Sequence, residues 1–365
     1  MPPAVAAFTD TYLPTVNGVT YTISAWRDRY IERDGRMDVV YPSSSYDPAP
    51  GEHPVRSFPF PFYEGYRLGV PSVPEAVADV DLVHAHSPFA VGLAGYRLAR
   101  RESLPFVVSY HTPTAEYASY VAPGPLADPV AAVSSRWEQW FLERADLVLA
   151  PSDRTARSLR KRLDGVVVED LPNGVDTTRF EPTDTTDFKT KYGLPTDRPL
   201  VGYTGRHGHE KNLGAIIDAV EPLDVTVVFG GEGPATQSLR EAAAAQDVDT
   251  RFLGFLDREE LPAFYSALDV FAFPSPVETQ GIVALEATAC GTPVVGVNAG
   301  ALRETIVAGE TGYHYERGDI IDFRDGIQRA LATQEQLAET CLAYRSEISL
   351  SNAMNQLEAA YDRVR

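Results

Sequence analysis

Lysine is nearly missing from this chain: of 32 basic residues only Lys161, Lys189, Lys191 and Lys211 are lysines, set against 51 carboxylates. The formal charge is −19 at neutral pH, and so acidic a surface does not suit a protein that neutralises nucleic-acid phosphate. It suits solvation in concentrated salt, so the composition reads as halophilic. Cysteine is equally scarce, and Cys290 and Cys341 give neither a disulfide framework nor a zinc-ligand spacing. A reducing, cytoplasmic setting fits. No stretch approaches the roughly 18 consecutive apolar residues of a spanning helix, and the first residues lack a basic-then-apolar leader. The expectation is a soluble or peripheral protein. There is no short repeat or low-complexity tract, and 365 residues suffice for two domains, each with its own core.

What the chain does have is a distinctive stretch from Phe273 to Asn298, FPSPVETQGIVALEATACGTPVVGVN. Ile282, Leu285 and Ala289, with Val283 and Ala287, recur at three- and four-residue spacing, which predicts a helix opening at Gly281 and stopped by Gly291 and Pro293. Val294, Val295 and Val297 then read as a buried strand. The first amides of that helix, those of Ile282 and Val283, have no intrahelical acceptor. With no side chain on Gly281, the positive helix end is open to a bulky anion, and phosphate is the expected guest. Glu278 and Glu286 bracket this site, where a carboxylate is unwelcome unless it has another task. Accepting hydrogen bonds from sugar hydroxyls is such a task, so the pair suggests a sugar on each side of a diphosphate.

Phe273-Pro274-Ser275, Glu278 through Glu286 and Ala289 through Val295 resemble the signature of the retaining glycosyltransferases of family 4, which carry two glutamates separated by seven residues. The resemblance covers nearly the whole chain. It implies the GT-B fold, an α/β arrangement of two Rossmann-like doubly wound domains facing a cleft. In the family the first glutamate contacts the donor sugar and the second the nucleotide ribose, roles that fall here on Glu278 and Glu286. Amides of Gly281, Ile282 and Val283 would hold the donor diphosphate. Gln280 stands where the family commonly has an aromatic residue.

Earlier in the chain, Pro3 to Phe8 reads as a strand, followed by a turn through Asn17-Gly18 and an amphipathic helix reaching about Arg33. No G-x-G-x-x-G is present, so dinucleotide binding is not indicated. By resemblance, this loop meets the donor's distal phosphate and the acceptor, and Gly18 is the residue that transfers; Asn17 stands where a second glycine is common. Val39–Tyr41, Leu82–His86, Phe106–Tyr110, Leu147–Ala150 and Val166–Val168 read as further strands of a parallel sheet. His84 and His86 alternate on one strand face, but no third ligand lies nearby, and they read as hydrogen-bonded structural histidines rather than metal ligands. His111 follows a strand at its carboxyl edge, where open α/β sheets place ligands. Tyr110 to Pro113 with Glu116-Tyr117 resemble the family segment whose histidine hydrogen-bonds the transferred sugar. Trp137 and Trp140, beside Arg136 and Arg144, fit either a membrane surface or the core.

Pro172-Asn173-Gly174-Val175-Asp176, another family feature, opens a Thr-, Asp- and Pro-rich passage between domains. The expected boundaries are 1–176 for an acceptor-side domain and 177–346 for a nucleotide-sugar domain, with a helix at about 347–365 packing back on the first. Strands are read at Leu200–Tyr203, Val225–Phe229, Arg251–Leu253, Val270–Phe273 and Val294–Val297. Arg206 and Lys211 follow the first of these; two fixed cations at a strand end suit a diphosphate leaving group. Their spacing resembles the family's arginine and lysine that stabilise it. His207 and His209 read as exposed loop residues, and Gly230 to Pro234 as a turn facing the cleft. Leu253-Gly254-Phe255 would border the nucleotide base through backbone contacts.

These implications amount to a hexosyltransferase that moves a hexosyl group from UDP- or GDP-hexose to a hydroxyl with retention. The acceptor would be a membrane glycerolipid or a lipid-linked glycan. A retaining hydrolase needs two carboxylates about 5 Å apart, one a nucleophile, and no such pair is evident. No metal or other cofactor is expected. The setting is cytoplasmic, with the inner face of the cell membrane as the alternative. A sugar-nucleotide 2-epimerase of the same architecture, or a non-catalytic sugar-nucleotide sensor, are the competing readings.

Overall fold

The structure is a computed structural model describing residues 2–15, 17–60, 66–111, 113–114 and 127–365. The chain divides into two compact units, Met1–Asn173 with Leu350–Arg365, and Gly174–Ser349.

In the first unit β1 (Ala4–Phe8), β2 (Arg36–Pro42), β3 (Glu52–Val55), β6 (Leu82–Ala85), β7 (Phe106–Ser109), β8 (Leu147–Ala150) and β9 (Val167–Asp170) form a parallel sheet in the order β3-β2-β1-β6-β7-β8-β9. A separate antiparallel ribbon pairs β4 (Ser57–Pro59) with β5 (Arg67–Gly69). The central strands run almost continuously buried because helices cover both faces of the sheet. Strand β3 and the ribbon were not foreseen. Sequence Glu-His-Pro-Val carries a proline that a central strand would reject, and it is tolerated on this edge.

The second unit repeats the plan with β10 (Leu200–Thr204), β11 (Thr226–Gly230), β12 (Thr250–Gly254), β13 (Val270–Phe273), β14 (Val294–Val297) and β15 (Gly312–Tyr315), ordered β12-β11-β10-β13-β14-β15 and all parallel. In each sheet the strand order reverses beside the first strand, at β1/β6 and at β10/β13. Loops leaving those strands diverge at their carboxyl ends, which is where such sheets offer a binding crevice. The loops after β10 and β13 carry Arg206, Lys211 and Glu278.

Helix Leu350–Val364 belongs to the first unit. Leu350, Met354, Leu357 and Tyr361 are buried at near-helical spacing. Arg33, just past helix Gly18–Glu32, donates to Asn355 at 2.8 Å and Glu358 at 3.1 Å, and Tyr361 Oη lies 2.7 Å from His84 Nδ1.

Candidate functional site

Helix Ile282–Ala289 forms as its periodicity predicts, capped by Gly281 at φ 78°. A Cβ on Gly281 would lie 2.7 Å from Leu302 Cδ2 and 3.1 Å from Phe273 Cε1. That direction is filled by packing, so the glycine serves the left-handed backbone and the core rather than clearing a path for an anion, which corrects the sequence expectation. Among the described residues no side chain caps the helix. The first-turn amides of Ile282 and Val283 thus remain available to a ligand, on residues only partly buried. Gln280 is buried, and its carbonyl accepts from the Thr305 hydroxyl.

The carboxyl ends of β10 and β13 bring two of the expected residues together. Lys211 Nζ donates to Glu278 Oε1 at 2.7 Å, with side chains 21% and 15% exposed. Arg206 pairs with Glu210, which sequence reasoning passed over although the two are spaced as an i,i+4 ion pair. Buried Tyr203, the last residue but one of β10, senses the charges of this group. Burial raises its phenol pKa, the carboxylates of Glu278 and Glu210 add to that, and Arg206 opposes it.

His207 is not the exposed loop residue expected. It is fully buried, with Nδ1 2.9 Å from Thr236 Oγ1 and Nε2 3.2 Å from the Gly230 carbonyl, so Nε2 donates. Burial lowers its pKa and keeps it neutral. The reason is long-range: the His207 amide donates to Glu232 O and its carbonyl accepts from Ala235 N, folding the loop onto the turn after β11. Gly231, at φ 94°, permits this approach, since its Cβ would lie 2.1 Å from Gly205 O. His209 is exposed.

Glu286 is 6% exposed. Tyr265 Oη donates to its Oε2 at 2.7 Å. Burial raises the carboxyl pKa to about 7, against the opposing effects of the Tyr265 hydroxyl and the Arg258 charge.

In the first unit, Gly18 is the first residue of helix Gly18–Glu32. Asn17 is its N-cap: Oδ1 accepts from Thr20 N at 2.9 Å while Nδ2 donates to Thr11 Oγ1 at 3.0 Å. One amide of this helix start is therefore already occupied by protein. Asp10 is buried at the start of helix Ala90–Glu102, accepting from Ser87 Oγ at 2.6 Å and Val91 N at 2.9 Å. The loop from Asp10 to Thr15 borders a cavity of about 460 Å³, which Ser44, Tyr66 and Arg67 also line.

His111 is partly buried, two residues past β7. Its Nε2 lies 3.0 Å from His86 Nδ1, and the rings stack at 5.3 Å between centroids. His84 and His86 are hydrogen-bonded histidines as expected, His84 being held by Tyr361 and by Ser109 Oγ at 2.8 Å. Burial depresses all three, His84 to about 3 and His111 to about 4, so they are neutral in ordinary buffer. The backbone beyond His111 is anchored by Glu138, which accepts from Thr114 N at 2.7 Å and from Arg162 at 2.6 Å. Glu116 and Tyr117 lie outside the described residues.

Trp137 and Trp140 stack on each other at 4.8 Å, with the Arg144 guanidinium 3.7 Å above Trp140; Trp137 donates to Pro88 O and is 37% exposed. Among the described residues no helix is long and apolar enough to cross a membrane, and no group of three metal-ligating side chains is gathered.

Two doubly wound units with polar groups at the carboxyl ends of their sheets are the architecture of the GT-B fold. Residues 16–179 match Glycosyltransferase Family 4 and residues 184–344 match Glycosyl transferases group 1, and the chain belongs to this family. A GDP-mannose-dependent alpha-mannosyltransferase of Mycobacterium tuberculosis is 30% identical over 331 residues, 84% of this chain and 82% of the relative. An alpha-monoglucosyldiacylglycerol synthase of Streptococcus pneumoniae is 27% identical over 312 residues, 80% of this chain and 70% of the relative. Among solved structures, a sucrose-phosphate synthase from Thermosynechococcus elongatus superimposes with a TM-score of 0.79 over 99% of both chains at 20% identity, a likeness of fold.

Proposed function

We propose that this glycosyltransferase moves a hexosyl group from UDP- or GDP-hexose to a hydroxyl acceptor with retention of anomeric configuration. The observation that carries the reading is the Lys211–Glu278 pair at the β10/β13 switch point, in the same unit as a helix start that no described side chain caps. Arg206, Lys211 and the amides of Gly281, Ile282 and Val283 hold the donor diphosphate, Glu286 accepts from the ribose, and Glu278 and His111 contact the transferred sugar. Gly18 is assigned the distal phosphate, and the acceptor belongs to the first unit, whose cavity beside Thr11 and Tyr12 supports that assignment.

In the reaction the bond between the anomeric carbon and the phosphate oxygen breaks, and its electron pair leaves with the diphosphate. The acceptor oxygen bonds to the same face of that carbon, and its proton passes to a phosphate oxygen. Negative charge grows on the diphosphate as the bond opens, so fixed cations stabilise the transition state more than the ground state. Each cation is paired with a carboxylate, Lys211 with Glu278 and Arg206 with Glu210; a diphosphate competes with these for the same donors. The acceptor reading, a membrane glycerolipid or lipid-linked glycan, draws on the named product of the pneumococcal relative. Exposed Val133 and Trp137, on helix Ala127–Leu142, offer an apolar face toward a lipid surface.

Offering UDP-glucose and GDP-mannose with a lipid extract, followed by mass spectrometry and NMR of the new linkage, tests this. A glycoside with the donor's anomeric configuration is expected; isomerised donor, or an inverted linkage, would refute it. The scheme calls for no metal, so transfer should survive exhaustive chelation with EDTA. Loss of transfer restored by one divalent ion would sink that part.

A further inference from the structure

One buried polar atom in the first unit stands out: among the described residues His86 Nε2 has no hydrogen-bond partner. Its ring is clamped, 4.1 Å from the His84 ring and 6.0 Å from the Trp26 ring between centroids. His86 Nδ1, by contrast, is 3.0 Å from His111 Nε2. In a neutral histidine one ring nitrogen carries the proton and the other a lone pair. An orphaned, buried N–H is rarer and more costly than an orphaned lone pair. His86 therefore carries its proton on Nδ1 and leaves the lone pair on Nε2.

We infer that His86 is a positioning residue for His111: its Nδ1–H donates to His111 Nε2, which forces the His111 proton onto Nδ1. His111 is then held in one tautomer, with its proton on Nδ1, instead of exchanging between two. Burial supports this by keeping both rings neutral, since a protonated His86 or His111 would erase the distinction. His84 completes the support from behind, with both of its own nitrogens satisfied by Tyr361 and Ser109. The catalytic part of this inference rests on the reading that His111 contacts the transferred sugar; the tautomer does not.

The test has two arms. Long-range proton–nitrogen correlation spectra of the ¹⁵N-histidine-labelled enzyme, assigned with His111→Gln, should show His111 protonated at Nδ1 alone. A wild-type His111 protonated at Nε2 overturns the inference whatever the activity. In kinetics with UDP-glucose or GDP-mannose, whichever is turned over, folded His86→Leu should lose about tenfold or more in kcat with little change in donor KM. His86→Asn, whose side-chain amide reaches the Nδ1 position, should recover most of it. Equal loss in both variants, or none in His86→Leu, makes His86 structural only. If His86→Leu does not fold, the spectrum of the wild type decides. Unchanged turnover in His111→Ala would refute the sugar-contact reading while leaving the tautomer assignment standing.

Discussion

Glu286 is a carboxylate surrounded by the buried residues of its own helix, with one hydroxyl, that of Tyr265, donating to it. Its folded pKa is raised from 4.5 to about 7, so the stability gained from its neutral form is fully present below about pH 4.5 and is lost as pH rises through about 7. Glu286→Gln keeps the acceptor for Tyr265 and has no charge to bury. In urea melts the variant should match the wild type at pH 5 and exceed it at pH 8 by up to about 3 kcal/mol; a constant gap between the two pH values would contradict the assigned cause. Catalysis separates the same residue from Lys211. Glu286→Ala should raise the donor KM with a modest change in kcat, because a ribose contact is the same in ground and transition states. Lys211→Ala should lower kcat on the order of 10²-fold, because the charge it faces grows during bond breaking. The reverse pattern in folded variants would mean the roles are exchanged. Lys211 and Glu278, both expected from the sequence, prove to be each other's partner, whereas the partners of Glu286 and Arg206 were not legible. Tyr265 and Glu210 act through a crossing of elements and a local pairing, respectively, and only the second leaves a spacing in the sequence.

Among elements, what could be read was what periodicity encodes. Helix Ile282–Ala289 and the apolar strands β1, β6–β8, β10, β11, β13 and β14 repeat every three to four residues or run continuously buried, and either pattern survives without knowledge of neighbours. Strands β3, β5 and β15 carry proline, glycine or too few residues, and pairing with an existing edge makes them strands. His207 failed for the same reason in reverse: its burial is supplied by residues 230–236. Asn17 was noticed for the glycine it replaces, whereas a carboxamide just ahead of an amphipathic run is itself a helix-start signal. Gly281 joins a backbone demand to a packing demand. Gly281→Ala would have to hold φ near 78° with its methyl 2.7 Å from Leu302, costing about 1–3 kcal/mol. Thermal melts should show that loss, and calorimetric titration with UDP and GDP should show weaker binding as the helix start shifts; wild-type stability would mean Leu302 yields without strain.

At the scale of the whole molecule, the excess of acid over base, 51 against 32, repels itself when unscreened. Raising potassium chloride from dilute buffer to about 1 M shortens the Debye length to about 3 Å, and the melting temperature should climb. A flat response would remove the halophilic reading of the composition. The arrangement of the chain has a different kind of consequence. Residues 174–349 are contiguous and carry a complete sheet, while the first unit is interrupted by all of them and recovers its last helix only at Leu350–Val364. On the ribosome, therefore, the first unit emerges first but is finished last, its sheet waiting for its final helix. His84 is made long before Tyr361, the hydroxyl that holds it, and waits with its apolar surroundings uncovered while the entire second unit is translated and folds.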